Sequence, residues 1–556
     1  MRRALCVAGL IVGSALAIAG GAAVHFRDIT EKAGIHALII SGSKVKDYVL
    51  EVNGSGVCWF DYNNDGYMDL YLVNGSTLPE LQGKKAAHPH RNYLFRNNRN
   101  GTFTDVTEQA KVPGEGWGFG CVAADYDNDG KTDLFLANYG PNVLYHNNGD
   151  GTFSNVTQRA GLSGGNIWHA GAAFGDYDGD GFVDLYVSGY LDFDARNPEL
   201  KTCEYRGVSV HACGPIGYRG APDALYHNNG DGTFTNVTEK AGVADKNLYF
   251  GFTVIFDDLD GDGKPDIFVA NDSNPNYLYR NKGDGTFEEM GVQAGVAMNA
   301  DGKEMSSMGV AVGDYDNDGR MDLFVTTFAN DNYVLFHNEG GGFFSDLSYQ
   351  SGIGQATIPH LGWATFFLDF DNDGWKDLFA ANGHVYPEVE GKLSETYRQP
   401  LQLFRNTGSG KFLEVSRASG LSALPWASAR GGAYCDFDND GDIDVLISNI
   451  DDRPQLLENV GGNQGNWLEL NLIGTKSNRS AIGAQVKVES GGLMQYDHVR
   501  AGGSFLSGND PRLHFGLGRL TVANLEILWP SGRVEKLSGV RANQILSVKE
   551  GAGIVR

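Results

Sequence analysis

Short apolar runs closed by a polar or turn residue recur along the chain. They read LYLVN from Leu70, LFLAN from Leu134, LYVSG from Leu185, IFVAN from Ile267, LFVTT from Leu323, LFAAN from Leu378 and VLISN from Val445. Branched and aromatic residues fill them and each is only four or five residues long, so they predict strands rather than helices. In front of every run stands a nine-residue acidic segment, and in front of that a further apolar stretch. The repeating unit is therefore strand, acidic loop, strand.

A second pattern lies between these units. It reads NYLFRNNRNGTFTDVT from Asn92, NVLYHNNGDGTFSNVT from Asn142 and DALYHNNGDGTFTNVT from Asp223, with variants at Asn276, Tyr333 and Leu401. Each is strand, glycine-rich hairpin, strand. Four short strands per unit, seven times over, predict an all-β fold with a seven-bladed β-propeller over residues 24–461. Only six units are followed by their own fourth strand. The missing one comes first, as FRDITEKAGI from Phe26, so a strand at 26–30 is expected to close blade 7 and remove a sheet edge. Five residues before each loop stand Gly56, Gly120, Gly171, Thr253, Gly309, Ala364 and Gly431, small side chains suited to a crowded axis. The alternating strand directions put the acidic loops and the hairpins on one face. The long insertions at 74–91, 188–222 and 381–400 fall on the other, where binding loops on a rigid scaffold are expected. After Gly461 the alternation changes, which predicts a separate small β-rich domain over 462–552.

The acidic loops carry oxygen at positions 1, 3, 5 and 9 around a glycine at position 6. They offer Asp61, Asn63, Asp65 and Asp69; Asp125, Asp127, Asp129 and Asp133; Asp176, Asp178, Asp180 and Asp184; and Asp258, Asp260, Asp262 and Asp266. Three more offer Asp314, Asp316, Asp318 and Asp322; Asp369, Asp371, Asp373 and Asp377; and Asp436, Asp438, Asp440 and Asp444. Ca2+ takes about six to eight oxygens, so up to seven structural Ca2+ ions are expected. An EF-hand is excluded, because its glutamate at position 12 is replaced by Leu72, Leu136, Val187, Val269, Val325, Ala380 and Ile447. Asn63 weakens the first site, Asp257 adds an acid beside the fourth, and Asp442 in the seventh reads as a solvated side chain.

The net charge of −25 changes the picture little, since the loops alone hold 27 carboxylates. Seven Ca2+ ions would bring it to about −11, and no basic patch suggests a nucleic-acid partner. Residues 1–23, with Arg2, Arg3 and an apolar run from Ala4 to Ile18, read as a signal peptide and not a spanning helix. A secreted, periplasmic or extracellular protein with no membrane span after cleavage is expected. Cys203 and Cys213 are expected to form a disulfide; Cys58, Cys121 and Cys435 read as small buried core residues.

The seven loops with their GTFTDVT hairpins resemble FG-GAP (VCBS-type) propeller repeats, as in integrin α-subunit heads. GGSFLSGNDPRLHFGLGRLTVANLEILWPSGRVEKL, from Gly502, looks like an ASPIC/UnbV domain. The combination resembles the cartilage acidic protein family and its secreted bacterial relatives. That resemblance implies a Ca2+-loaded FG-GAP-type propeller with a β-rich C-terminal domain outside the cytoplasm, and no settled activity.

On the face opposite the loops, Trp117, Trp168, His169, His360, Trp363, His384 and Arg430 form a candidate ligand ring, with Trp426 in a comparable loop. Trp117 and Trp168 also suit packing between blades. His88, His90, His169, His211, His360 and His384 come from different blades with no metal-ligand spacing. His146, His227 and His337 read as repeat features rather than ligands, and the sequons at Asn155 and Asn236 as parts of the repeat. No nucleophile motif or phosphate loop is present. Asp272 and Glu388 have no evident acid–base partner. The sequence thus favours a binding protein for an extracellular glycan or protein. The alternatives are a lyase-like or tailoring enzyme with a site at the axis or at the contact with the C-terminal domain, and a protein-docking scaffold.

Overall fold

The computed structural model describes residues 24–84, 90–163, 165 and 167–555; the expected signal peptide at 1–23 and His88 lie outside them. The chain is all-β with only short helical turns. Seven four-stranded antiparallel sheets cover the repeat region. The first is Val57–Phe60, Asp69–Leu72, Tyr93–Asn97 and Phe103–Asp105. The seventh is Ala429–Cys435, Asp444–Asn449, Gln455–Val460 and the N-terminal His25–Asp28, which pairs antiparallel with Gln455–Val460. The innermost strands start at Val57, Trp117, His169, Phe250, Val310, Gly362 and Ala429. Each lies against the next, and the seventh lies against the first.

The small residues on these strands have the steric cause expected of them. A Cβ on Gly171 would stand 2.1 Å from the Phe252 carbonyl oxygen, and one on Gly309 would stand 2.0 Å from that of Trp363. Neighbouring inner strands are simply too close for a side chain there.

A buried asparagine fastens each sheet to the one before it. Asn97, Asn147, Asn228, Asn281, Asn338, Asn406 and Asn459 close the third strand of each sheet. Their amides donate across the gap to the carbonyls of Phe437, Tyr62, Tyr126, Tyr177, Leu259, Tyr315 and Phe370, at 2.7–2.9 Å. The acceptor is always position 2 of the preceding acidic loop, so the fastening runs once around all seven sheets.

Cys203 and Cys213 are bonded, with Cα atoms 5.9 Å apart. Cys58 and Cys121 are also bonded, with Cα atoms 6.2 Å apart, where the sequence reads them as separate core residues. They sit at matching heights on adjacent inner strands, which the ring brings face to face. Cys435 is free and buried.

The C-terminal residues form two further four-stranded sheets. One pairs Asn466–Ile473 in parallel with Ile545–Lys549; the other is built around Gln485–Ser490 and Val522–Leu528. Leu468, Val486, Phe515, Ile527 and Trp529 fill the space between, and this core runs on into the packing between the second and third sheets of the ring. No helix among the described residues is long and apolar enough to cross a membrane.

Candidate metal centres and the two faces of the ring

The acidic loops share one backbone conformation. Position 4 has φ between 55° and 79° in every copy and is always Asn or Gly, while the glycine at position 6 has φ between 83° and 92°. Only residues that tolerate the left-handed region fit these two places. The carboxylate at position 1 accepts the backbone N–H groups of positions 5 and 6 at 2.7–3.1 Å. The carboxylate at position 9 is buried and accepts the N–H of the fastening asparagine at 2.7–2.9 Å.

These groups converge with few donors to balance them. Burial first, and then the neighbouring carboxylates, push Asp69, Asp266 and Asp314 up to about 8, and Asp125 and Asp176 up to about 7. At position 3, Oδ1 of Asp127, Asp316, Asp371 and Asp438 is buried without any hydrogen-bond partner. Orphaned carboxylate oxygens of this kind carry a large desolvation cost unless a cation meets them. The donor set, all oxygen, suits a hard divalent ion.

The loops are not equivalent. The residue before each fastening asparagine is Arg96, His146, His227, Arg280, His337, Arg405 or Glu458. His146 Nδ1 lies 3.3 Å from both Asp127 and Asp133, His227 Nδ1 lies 3.1 Å from Asp184, and His337 Nδ1 lies 3.1 Å from Asp322. The three imidazoles read as repeat features in the sequence therefore face the acid clusters of loops 2, 3 and 5. In loop 6, Arg405 stands 2.8 Å from Asp371. The asparagine at position 4 links loop to loop: Asn64, Asn128, Asn317, Asn372 and Asn439 donate to the Gly130, Gly181, Gly374, Gly441 and Gly66 carbonyls at 2.8–3.1 Å.

The C-terminal domain sits on this acidic face. Ser480 Oγ accepts the Asp125 N–H at 2.9 Å, Gln485 donates to Asp258 at 2.8 Å, and Arg512 donates to Asn439 at 2.7 Å. Asp257 is bound to His498 and Arg500 of this domain. Burial alone would raise its carboxyl; Arg500 and the His498 ring beside it hold it below the usual range. Asp442 is buried, not solvated, and burial with Asp440 beside it pushes it up to about 9.

One segment of the domain, 500–511, enters the ring itself. Ser504 exchanges two 2.8 Å backbone bonds with Val310, and its Oγ donates to the Gly432 carbonyl at 2.7 Å. Gly508 bonds the backbone of Val57 and Trp59, Leu506 accepts from Cys121, and Ala501 accepts from Phe174. Thr253 Oγ1 donates to the Ser504 carbonyl at 3.0 Å. Phe505 is fully buried, with its ring 4.7 Å from Trp363 and 5.3 Å from Phe252. The segment thus touches the inner strands of all seven sheets and fills the axis. Beside it, between the first two sheets and the C-terminal domain, a cavity of about 340 Å³ remains, lined by Trp59, Asp125, Arg479, Arg500 and Asn509.

The opposite face corrects the candidate ligand ring. Trp117, Trp168, His169, Trp363, His384 and Arg430 are all buried, and only His360 is half-exposed. Trp168 packs on Phe119 and Tyr190, each at 4.9 Å. Arg430 lies over the Trp363 ring at 4.1 Å and donates to the carbonyls of Val52 and Ala429 at 2.7 and 2.6 Å. Burial with no carboxylate partner lowers it to about 9. These residues support a cover rather than a ligand. The hairpin Cys203–Tyr205 and Val208–Val210, from the insertion at 188–222, crosses to the insertion of the sixth sheet. Tyr205 donates to Glu395 at 2.6 Å, Arg206 pairs with the same carboxylate, and the His211 N–H donates to Glu388 at 2.9 Å. Glu395 also faces His384 Nε2 at 3.2 Å. Burial raises Glu395, but the donors around it win and hold it at about 2. Two further candidate histidines lie apart from these: His90 faces Glu80, and His211 faces Asp47. Asp272 accepts from Tyr190 at 2.8 Å.

The FG-GAP-like repeat model matches residues 61–136, 125–187, 258–325 and 314–380, and the ASPIC and UnbV model matches 474–555. The chain is similar to cartilage acidic protein 1 of Mus musculus, 26% identical over 516 residues, covering 89% of this chain and 73% of that one. It is 28% identical to the Homo sapiens protein over 293 residues, covering 51% of this chain and 42% of the other, so it spans less than half of that relative. Among solved structures, an Agrocybe aegerita lectin recognising non-reducing terminal N-acetylglucosamine has a TM-score of 0.36 at 18% identity, covering 65% of this chain and 79% of its own. Rhamnogalacturonan lyase YesW has 0.34 at 13%, covering 72% and 71%.

Proposed function

We propose, for a chain that carries FG-GAP-like repeats and a C-terminal ASPIC and UnbV domain and is homologous to cartilage acidic protein 1, that it is a secreted, Ca2+-stabilised seven-bladed propeller. It binds an extracellular glycan or protein through the face opposite the metal loops. The observation that carries this reading is the position of the C-terminal domain. It covers the acidic face and fills the axis, which leaves the insertion-bearing face as the broad free surface of the ring.

The seven acidic loops supply the ion sites through positions 1, 3, 5 and 9. A bound Ca2+ supplies positive charge where up to four carboxylates crowd together. The chain's own groups hold those carboxylates in place: the N–H groups of positions 5 and 6, and the asparagine on the third strand. Two disulfides support an exported protein, since such bonds persist in oxidising compartments. The test is incubation of the purified chain with a panel of polysaccharides and extracellular-matrix or envelope fractions, with Ca2+ and with chelator. Retention without released product supports the reading. Released product replaces it with an enzyme, and no retention of the folded protein contradicts it.

A further inference from the structure

With the centre of the free face closed by the cover, its rim is what remains accessible. Two blades there present a groove between the residues leading into the inner strand, the loop after the second strand and the end of the fourth strand. In blade 7 this groove has a volume of about 700 Å³ and contains Trp426, Asp28, Glu31, Asn449, Asp452 and Arg453. In blade 2 the same groove, of about 620 Å³, has Glu115 in place of the indole, and Asn155 donates to that carboxylate at 3.2 Å. Ten residues before each acidic loop stand Glu51, Glu115, Asn166, Leu248, Glu304, Pro359 and Trp426, so only blade 7 places an indole here.

Trp426 is 48% exposed, whereas Trp59, Trp117, Trp168, Trp363, Trp467 and Trp529 are buried and Trp375 is half-buried. An indole left open in a groove exposes a large flat apolar face at some cost, which a ligand can relieve. Polar groups flank it. Asn449 is only 1% exposed and forms the floor, its amide donating to the Arg453 carbonyl at 2.9 Å and to Gln455 at 3.2 Å. Asp28, Glu31 and Asp452 add acceptors beside Lys32 and Arg453, and Asp452 is paired with Arg398 at 3.5 Å, so the groove is close to neutral.

We infer that this groove is a subsite for a neutral pyranose, stacked by its C–H face on Trp426 with hydroxyls donated to the carboxylates of Asp28, Glu31 and Asp452. The inference rests on the reading of this face as the binding face. A flat apolar platform ringed by a few fixed acceptors matches a sugar, which offers C–H groups on its face and O–H donors at its edge. With no net positive charge to meet an anion, the groove does not favour uronic or sulfated sugars. A proline-rich peptide needs aromatic-lined slots, and no second aromatic lines this groove.

The experiment is saturation-transfer NMR on the full-length protein with Ca2+. The probes are methyl glucoside, methyl galactoside, methyl mannoside, N-acetylglucosamine, glucuronic acid and a proline-rich peptide. At least one neutral sugar is expected to receive saturation and to shield tryptophan fluorescence from iodide. W426A, at an exposed position, should abolish both; D452N should weaken binding about ten-fold; and E115A, in the blade 2 groove, should change nothing. Transfer to no neutral pyranoside, transfer surviving W426A, or transfer to the peptide or glucuronic acid alone overturns the inference. If the chain is still retained on the polysaccharide and matrix panel in that case, the face reading stands without the subsite; if it is not, both fall.

Discussion

Phe505→Ala tests whether the C-terminal domain and the ring of repeat sheets are one structural unit. Phe505 is fully buried at the axis between Trp363 and Phe252. A buried Phe→Ala change costs about 3–5 kcal/mol, and the cost is highest where the walls cannot collapse. Here the walls are seven inner strands fixed by their own ladders, so a loss of about 4 kcal/mol is expected. Unfolding entropy near 60 °C is about 2.1 cal/mol/K per residue. For one cooperative unit of roughly 530 residues, this gives about 1.1 kcal/mol/K and a Tm lower by about 4 °C. For a C-terminal domain of about 90 residues melting alone, the same loss would lower its Tm by about 20 °C. Differential scanning calorimetry in Ca2+ at a fixed scan rate separates the two. A single transition shifted by a few degrees supports the plug. A shift below about 1 °C would mean that Phe505 does not bear on stability, and a small early transition split from the main one would mean that the domains melt separately.

Asn228→Ala should cost about 3 kcal/mol, because it strands the buried Tyr126 and Val183 carbonyls and the Gly230 N–H that the side chain satisfies; a denaturant titration reads this directly. Chelation should lower the melting temperature by several degrees at pH 7.5, because carboxylates such as Asp125 and Asp176 then repel without a cation; an unchanged melt removes the structural-calcium claim. The depressed Glu395 carboxyl contributes stability that is present above its ordinary pKa of 4.5 and is lost as pH falls towards about 2. The protection factors of amides in the 203–210 hairpin, taken against the intrinsic exchange rate at each pH, should therefore fall across that window in the wild type. In E395Q, protection should already be low at neutral pH and change little as pH falls.

The sequence made the repeat legible because its constraints are local. An acidic loop that must turn at position 6 needs glycine wherever it occurs, and a strand beside an axis needs Gly56 or Gly171 for steric reasons visible in one repeat. What it hid depends on contacts between distant segments. Trp117, Trp168, His384 and Arg430 look like binding residues because aromatic and polar groups in long loops often are. The insertions, however, fold back over them, and no periodicity announces that. Cys58 and Cys121 lie on strands that look apolar, and only ring geometry makes them neighbours. Gly502 to Asn509 alternates too weakly to read as more than a loop, yet it fills the axis. Two signals were available: the invariant asparagine closing every third strand, and the Asn or Gly at position 4. Both recur as faithfully as the acids, and their roles lie in hydrogen bonds between blades.

Masking each face in turn tests the central claim most directly. Leu200 on the insertion-bearing face and Val534 on the C-terminal domain are 55% and 50% exposed, so a cysteine at either can take a bulky polyethylene-glycol maleimide. Retention on the polysaccharide and matrix panel is then compared with that of the unlabelled variants. The account predicts that the label at 200 blocks retention and the label at 534 does not. Retention lost only with the label at 534 would place binding on the C-terminal domain and contradict it.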